Sequence, residues 1–298
     1  MYEIIFTMDR KEFIRKGFLG SAIFSATGLI GNVVHNNIDE LKELEIIGFN
    51  HLPNTNSNHM ENSVLHKANT RGHASHGWLD SYHTFSFANY YNPERMHFGT
   101  LRVLNDDIID GGTGFGTHPH DNMEIISIPL EGAIEHKDSM GNKAVIQTGD
   151  IQVMSAGKGI THSEYNHHTD KKGKFLQIWV FPSKKDVTPR YDQLTLKKED
   201  RQNALQQILS PNPEDAGVWI HQNAWFHLGH FDRDKMVEYK LKDKTNGVYA
   251  FIISGQFNIN GQQLETRDGL GIWDISSIDI QSAADHSEIL LMEVPMGV

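Results

Sequence analysis

The chain of 298 residues contains no cysteine. That excludes disulfides, thiolate metal sites, a thiol nucleophile and a lipid anchor on cysteine. Positive charge is scarce as well: 27 Lys and Arg stand against 38 Asp and Glu, a formal charge of −11. Broad contact with a phosphate backbone needs clustered Lys and Arg, so direct nucleic-acid binding is not expected. Long apolar runs are missing. The best candidate, Gly17 to Val34, holds four glycines and is short for a bilayer, so no stable membrane span is expected. Extended hydrophobic periodicity of 3.6 residues is also lacking, which argues against an α/β architecture. There is no G-x-S-x-G nucleophile element, and the glycine-rich GGTGFG, Gly111 to Gly116, opens no helix carrying G-K-[ST]. It reads as a turn. What the chain has in quantity is histidine, 18 of them, so nitrogen and oxygen donors are plentiful while sulfur is limited to Met.

Arg10, Lys11, Arg15 and Lys16 precede the weakly apolar run. Together they resemble a twin-arginine export signal, R-R-x-F-[LI]-[KR], with Lys11 in place of the second arginine. Residues 1–34 are therefore read as an export-signal-like segment that would carry the folded protein to the periplasm, a cytoplasmic location being the alternative. Residues 35–63, rich in Asn, His and Ser, read as a polar linker. From Val64 onward short apolar runs such as EIISIPLEG, FLQIWVF and EILLMEVP recur between Gly, Asn, Asp and Pro. That spacing predicts an all-β sandwich or barrel with few short helices, one of them over Glu199 to Leu209. The stretch Ser127 to Met154 is echoed by Tyr249 to Trp273, with Gly132 answering to Gly255 and the Gly149–Asp150 turn to Asp268–Gly269. Two copies of one β-barrel unit account for this.

Two short pieces concentrate metal donors: GTHPHDNMEI, with His118, His120 and Glu124, and GKGITHSEYN, with His162, Glu164 and Asn166. On a strand, residues two apart share a face. His118 and His120 thus point one way, as do His162 and Glu164. Facing each other across a barrel, they would bring three imidazoles and a carboxylate to one point, a donor set for Fe, Mn, Ni, Cu or Zn. His73, His76 and His83, in GHASHGWLDSYHTFSF, are read as capping or core residues, with hydrogen-bond donation to the metal's ligands as the other possibility.

At these residues the sequence resembles the pirin family of bicupins, especially bacterial members with quercetin 2,3-dioxygenase activity. The resemblance runs from about Leu65 to Pro295 and is densest over RGHASHGWLDSYHTFSF, FGTLRVLNDD, GFGTHPHDNMEI, LEGAIEHKDSMGN and MSAGKGITHSEYN. It departs from the general cupin signature at Gly132, one residue late, and at His162, two residues further along, the latter a variant shared by pirins. The resemblance implies two face-to-face cupin barrels of jelly-roll type: a metal-binding one over residues 64–182 and a metal-free one over 183–298. In the second, Leu241 and Asp243 take the places of His118 and His120. It further implies His118, His120, His162 and Glu164 as metal ligands, Fe(II) as the usual metal, and Glu124 as a neighbour of the site. A monomer is expected to cleave a flavonol-like enolic substrate with O2, with Glu164 or Glu124 accepting the hydroxyl proton. The competing reading is an iron-binding regulatory protein without turnover.

Overall fold

The computed structural model describes residues 62–297, all within one compact unit, Asn56–Val298. The export-signal-like segment and nearly all of the polar linker lie outside the described residues. Among the described residues the only helical elements are two 3-10 turns, Ala68–Thr70 and Lys198–Arg201. The rest of the regular structure is strand, as the short apolar runs and Gly/Asn/Asp turns require.

The strands form two sandwiches. In the first, a seven-stranded sheet runs in spatial order Arg190–Thr195, Asp150–Ser155, Glu124–Glu131, Gly173–Val180, Leu101–Ile109, Leu79–His83, Gly72–Ser75. It faces a four-stranded sheet of Gly114–His120, Ile160–Asn166, Ala133–Asp138 and Lys143–Gln147. The second sandwich repeats the plan. Its large sheet is Ser63–His66, Gly269–Ile272, Asn246–Ser254, Ser287–Pro295, Trp225–Phe231, Leu205–Ser210, Val218–Trp219. Its small one is Met236–Lys240, Ser277–Ser282, Gln256–Ile259 and Gln262–Glu265. The echo holds in detail. Gly132 and Gly255 adopt φ of 80° and 77° at matching turns, where a side chain would be strained. Asp150 accepts the Gln147 N–H at 2.8 Å, and Asp268 accepts that of Glu265 at 2.9 Å.

Alternation along the strands decides where each core lies. Ile126, Ile178, Leu104, Phe251, Leu290 and Met292 point from the two large sheets into one shared apolar layer. The two barrels therefore stand face to face across it. Residues between these positions look into the barrels, and the two interiors differ. The second is apolar over most of its length, where Val248, Ala250, Ile252, Ile289 and Leu291 meet Phe257 and Ile280 from the small sheet, with the buried Glu293 accepting from Tyr239 at one end. The first is apolar only towards its ends, with Ile109, Ile134 and Phe175 at one and Ile125, Met154 and Ile160 at the other. Between them lie Asn105, Ser127, Gln152, Gln177 and Glu164, all buried.

Two expectations change here. The helix expected over Glu199 to Leu209 is a 3-10 turn, Lys198–Arg201, followed by the strand Leu205–Ser210. Asn203 takes a left-handed φ of 55°, which ends the turn, and the strand pairs with Trp225–Phe231 so that Ile208 and Leu209 enter the shared layer. Tertiary pairing outweighs a weak local helix preference. In addition, two strands cross the expected division at residues 182 and 183. Ser63–His66 pairs with Gly269–Ile272 in the second barrel, and Arg190–Thr195 pairs with Asp150–Ser155 in the first.

Candidate metal centre

Three neighbouring strands of the small sheet in the first barrel carry His-x-His, His-x-Glu and His-x-Asp. His162 stands opposite His118 on one side and Asp138 on the other; Glu164 stands opposite Phe115 and His136. The register slips between His162 and Glu164, a bulge of the kind that re-aims side chains beside a site. Close approach of the two strands there depends on Gly114. A Cβ at that position would lie 2.2 Å from the Glu164 carbonyl oxygen.

The histidines converge. Ring centroids are 4.4 Å apart for His118 and His162, and 4.9 Å for both other pairs. Their candidate ligand atoms all lie within 4.8 Å of one another. His118 Nδ1 is 2.7 Å from the Gly116 carbonyl oxygen, which can only accept; Nδ1 therefore donates there, and Nε2 is the nitrogen left for a cation. His162 is buried, with no hydrogen-bond partner on either ring nitrogen. Burial, with the neighbouring imidazoles His162 and His118 adding to it, pulls His120 down to about 3. Burial, followed by His118 and His136, does the same to His162. Both rings are neutral at ordinary pH, which is the ligand form. A buried imidazole left without partners is costly, on the order of 1–3 kcal/mol per group. Three lone pairs converging on one point remove that cost when a cation binds, so the residues fit a divalent metal of borderline hardness.

Glu164 is fully buried beside this cluster. One carboxylate oxygen accepts from Ser127 Oγ at 3.0 Å and the other from Gln177 Nε2 at 3.1 Å. Its charge is felt at His120. The structure thus gathers the expected residues as a tight triad with the carboxylate held next to it by two partners of its own.

Glu124 is placed elsewhere. It pairs in register with Ser155 and Val180, and Val180 belongs to the layer between the barrels. Its side chain accordingly leaves the strand on the face away from Ser127, and its Oε2 accepts from Ser155 Oγ at 2.6 Å. Burial pushes it up to about 7 against the pull of Ser155 and Arg190. The expectation of Glu124 as a neighbour of the metal and as a rival proton acceptor is therefore corrected: strand alternation turns it into the seam. His73 and His76 are exposed, whereas His83 is buried, edge-on to Phe87 at 5.3 Å.

Residues 64–180 match the pirin family model, and residues 207–294 match a quercetinase C-terminal cupin domain. A quercetin 2,3-dioxygenase from Escherichia coli is 46% identical over 231 residues, 78% of this chain and 98% of that protein. The chain belongs to the pirin family. A pirin-like protein from Caulobacter vibrioides is 39% identical over 74% of this chain and 95% of its own. The crystal structure of the bacterial pirin YhhW from Escherichia coli in complex with nickel(II) is 45% identical. It covers 79% of this chain and 100% of that one, with a TM-score of 0.74. The bicupin expectation holds for this pirin.

Residue spacing did not single out three further members of the site. His136 and Asp138 are both fully buried, with Nε2 and Oδ2 3.1 Å apart, and the His136 ring lies 5.4 Å from that of His162. Trp179 stands edge-on to His120 at 4.9 Å and forms an apolar wall with Ile125, Met154 and Ile160. The signal for the first two was in the sequence. EHKD repeats the alternate-residue pairing of H-x-H and H-x-E one strand further along.

Proposed function

We propose that this pirin is a metal-dependent dioxygenase that cleaves flavonol-like enolic substrates with O2, using one divalent cation, Fe(II) in the cell, held by His118, His120, His162 and Glu164. The relatives named as quercetin 2,3-dioxygenases support the reaction class, and the nickel(II) complex of a relative supports a cation at a site of this kind. The observation that carries the reading is the triad of converging imidazoles with a buried carboxylate beside it. When bound, such a cation supplies the Lewis acidity that lowers the pKa of an enolic hydroxyl and the centre at which oxidation is organised.

The chain's own residues do the rest. The hydrogen bond from His118 Nδ1 to Gly116 fixes which nitrogen faces the site. Ser127 and Gln177 occupy two of the roughly four acceptor positions of the Glu164 carboxylate. The remaining lone pairs can take the proton of a substrate hydroxyl, and the donors hold the group still while they do. Trp179 and the apolar residues around it keep bulk water from the reacting face.

Replacing His162 with Ala removes a donor that no cysteine can replace. Metal content by elemental analysis and flavonol-dependent O2 uptake should fall together. Full stoichiometric metal in that variant would overturn the ligand assignment. A metal-loaded wild type that consumes no O2 with any flavonol would overturn the reaction. Export is a separate proposal, resting on the twin-arginine-like segment; an intact N-terminus on the protein recovered from the cytoplasmic fraction would defeat it.

A further inference from the structure

The inner face of the first barrel's large sheet carries a row of polar side chains in register. Asn105 stands opposite Gln177, Gln177 opposite Ser127, and Ser127 opposite Gln152. Ser127 and Gln177 are committed to Glu164. The residues flanking them are not. Both side-chain atoms of Asn105 and the amide nitrogen of Gln152 are buried without a hydrogen-bond partner, although each residue is only 1% exposed. On the facing small sheet His136 adds a further unpartnered atom, Nδ1. Asp138 already accepts from the backbone N–H of Met140 and Asn142 and from Asn142 Nδ2. Asp138 Oδ2 also lies 3.1 Å from His136 Nε2 and can only accept, so Nε2 is the ring nitrogen already engaged and Nδ1 the one left unpartnered.

The fold does not demand this polarity. In the second barrel the matching row reads His227, Leu291, Ala250 and Leu270, three of them part of an apolar core. Four buried unpaired polar atoms are costly to a fold, and native interiors do not keep such atoms without something to meet them. The amides of Asn105 and Gln152 are neutral and both donate and accept. They match hydroxyl groups, which do the same, and offer no free cation to an anionic ligand.

We infer that Asn105, Gln152 and His136 form a second, metal-independent half of the binding site, which receives the ring hydroxyls of a polyhydroxylated aromatic ligand. This rests on the dioxygenase reading for the ligand class alone.

The test uses Asn105→Leu and Gln152→Leu in the full chain with two flavonols alike at the enolic end. One is quercetin, whose pendant ring bears adjacent hydroxyls; the other carries a bare pendant ring. The substitutions remove unpaired groups, so melting temperature should hold or rise and metal content should not change. Affinity for quercetin should fall about 5- to 20-fold per variant, as for loss of one or two neutral hydrogen bonds, with the bare-ring flavonol unaffected. In the metal-free protein, quercetin should raise the melting temperature of the wild type and not of the variants. Equal losses for both flavonols, or no quercetin-induced shift in the metal-free wild type, would overturn the inference. Absence of turnover with either flavonol would sink the dioxygenase reading, while the metal-free binding result still decides this one.

Discussion

His120 and His162 are held near 3 by burial and by the other imidazoles around each of them, well below the ordinary 6.5 of a free imidazole. Protons therefore compete poorly for the ligand nitrogens. Metal retention after equilibration at falling pH should show a midpoint well below 6.5, and a midpoint at or above that value would count against the triad. Glu124 runs the other way. Its native pKa of about 7 exceeds its unfolded value of 4.5, so between those limits the native state binds more protons than the unfolded one. Stability contributed at this residue is full below about pH 4.5 and declines as pH rises through 7. Glu124→Gln keeps the shape and a partner for Ser155 but cannot ionise. The melting temperature of wild type minus that of the variant should fall from pH 4.5 to 7, by the equivalent of on the order of 2 kcal/mol. A difference that stays constant across that window would show that the carboxyl is not strained by burial.

At the scale of the strand, the site depends on spacing that a short sequence can announce. H-x-H and H-x-E, two residues apart in a β context, predict three imidazoles and a carboxylate on inner faces; the structure brings the three imidazoles together and sets Glu164 opposite Phe115, past a slip in register. What spacing could not convey was which face of the neighbouring strand Glu124 takes, because GTHPHDNMEI runs through a turn at Asn122, φ 47°, that resets alternation between His120 and Glu124. Nor could local preference around Glu199 to Leu209 foresee that Asn203 would end the turn and release a strand to Trp225–Phe231. The polar row was equally silent. Asn105, Ser127, Gln152 and Gln177 come from four separated segments and acquire meaning only when the sheet aligns them. Gly114 is the element-scale test. Gly114→Ala would drive a methyl into the Glu164 carbonyl and Tyr165, forcing the two ligand strands apart. A loss of about 2–4 kcal/mol of stability, accompanied by loss of metal, is expected. An unchanged melting temperature would show that the bulge can absorb the methyl.

Across the whole molecule the two barrels exchange strands, share an apolar layer and are clamped by a charge cluster. Asp106, on the first barrel's large sheet, accepts from Arg71 at 3.2 Å and from Arg267 of the second barrel at 2.8 Å. Arg267 also donates to the Ile253 carbonyl. Lys67 pairs with Asp268, which accepts the Ala68 N–H as well, next to the exchanged strand Ser63–His66. Asp106 and Arg71 are 9% and 6% exposed at the side chain and Arg267 20%, so water screens these contacts little. Removing one partner of a buried pair leaves the others' charge uncompensated. Asp106→Asn strands two guanidinium groups in the seam and should cost about 3–5 kcal/mol. Since the strand exchange ties each barrel's sheet to the other half of the chain, that loss should lower one shared unfolding transition, read together by calorimetry and by release of bound metal. Two separated transitions in the wild type, or a metal-release midpoint in Asp106→Asn that stays at the wild-type temperature while the bulk transition falls, would mean the barrels unfold independently. The second barrel would then be dispensable to the site; the exchanged strands and the Asp106 cluster argue instead that it completes the first.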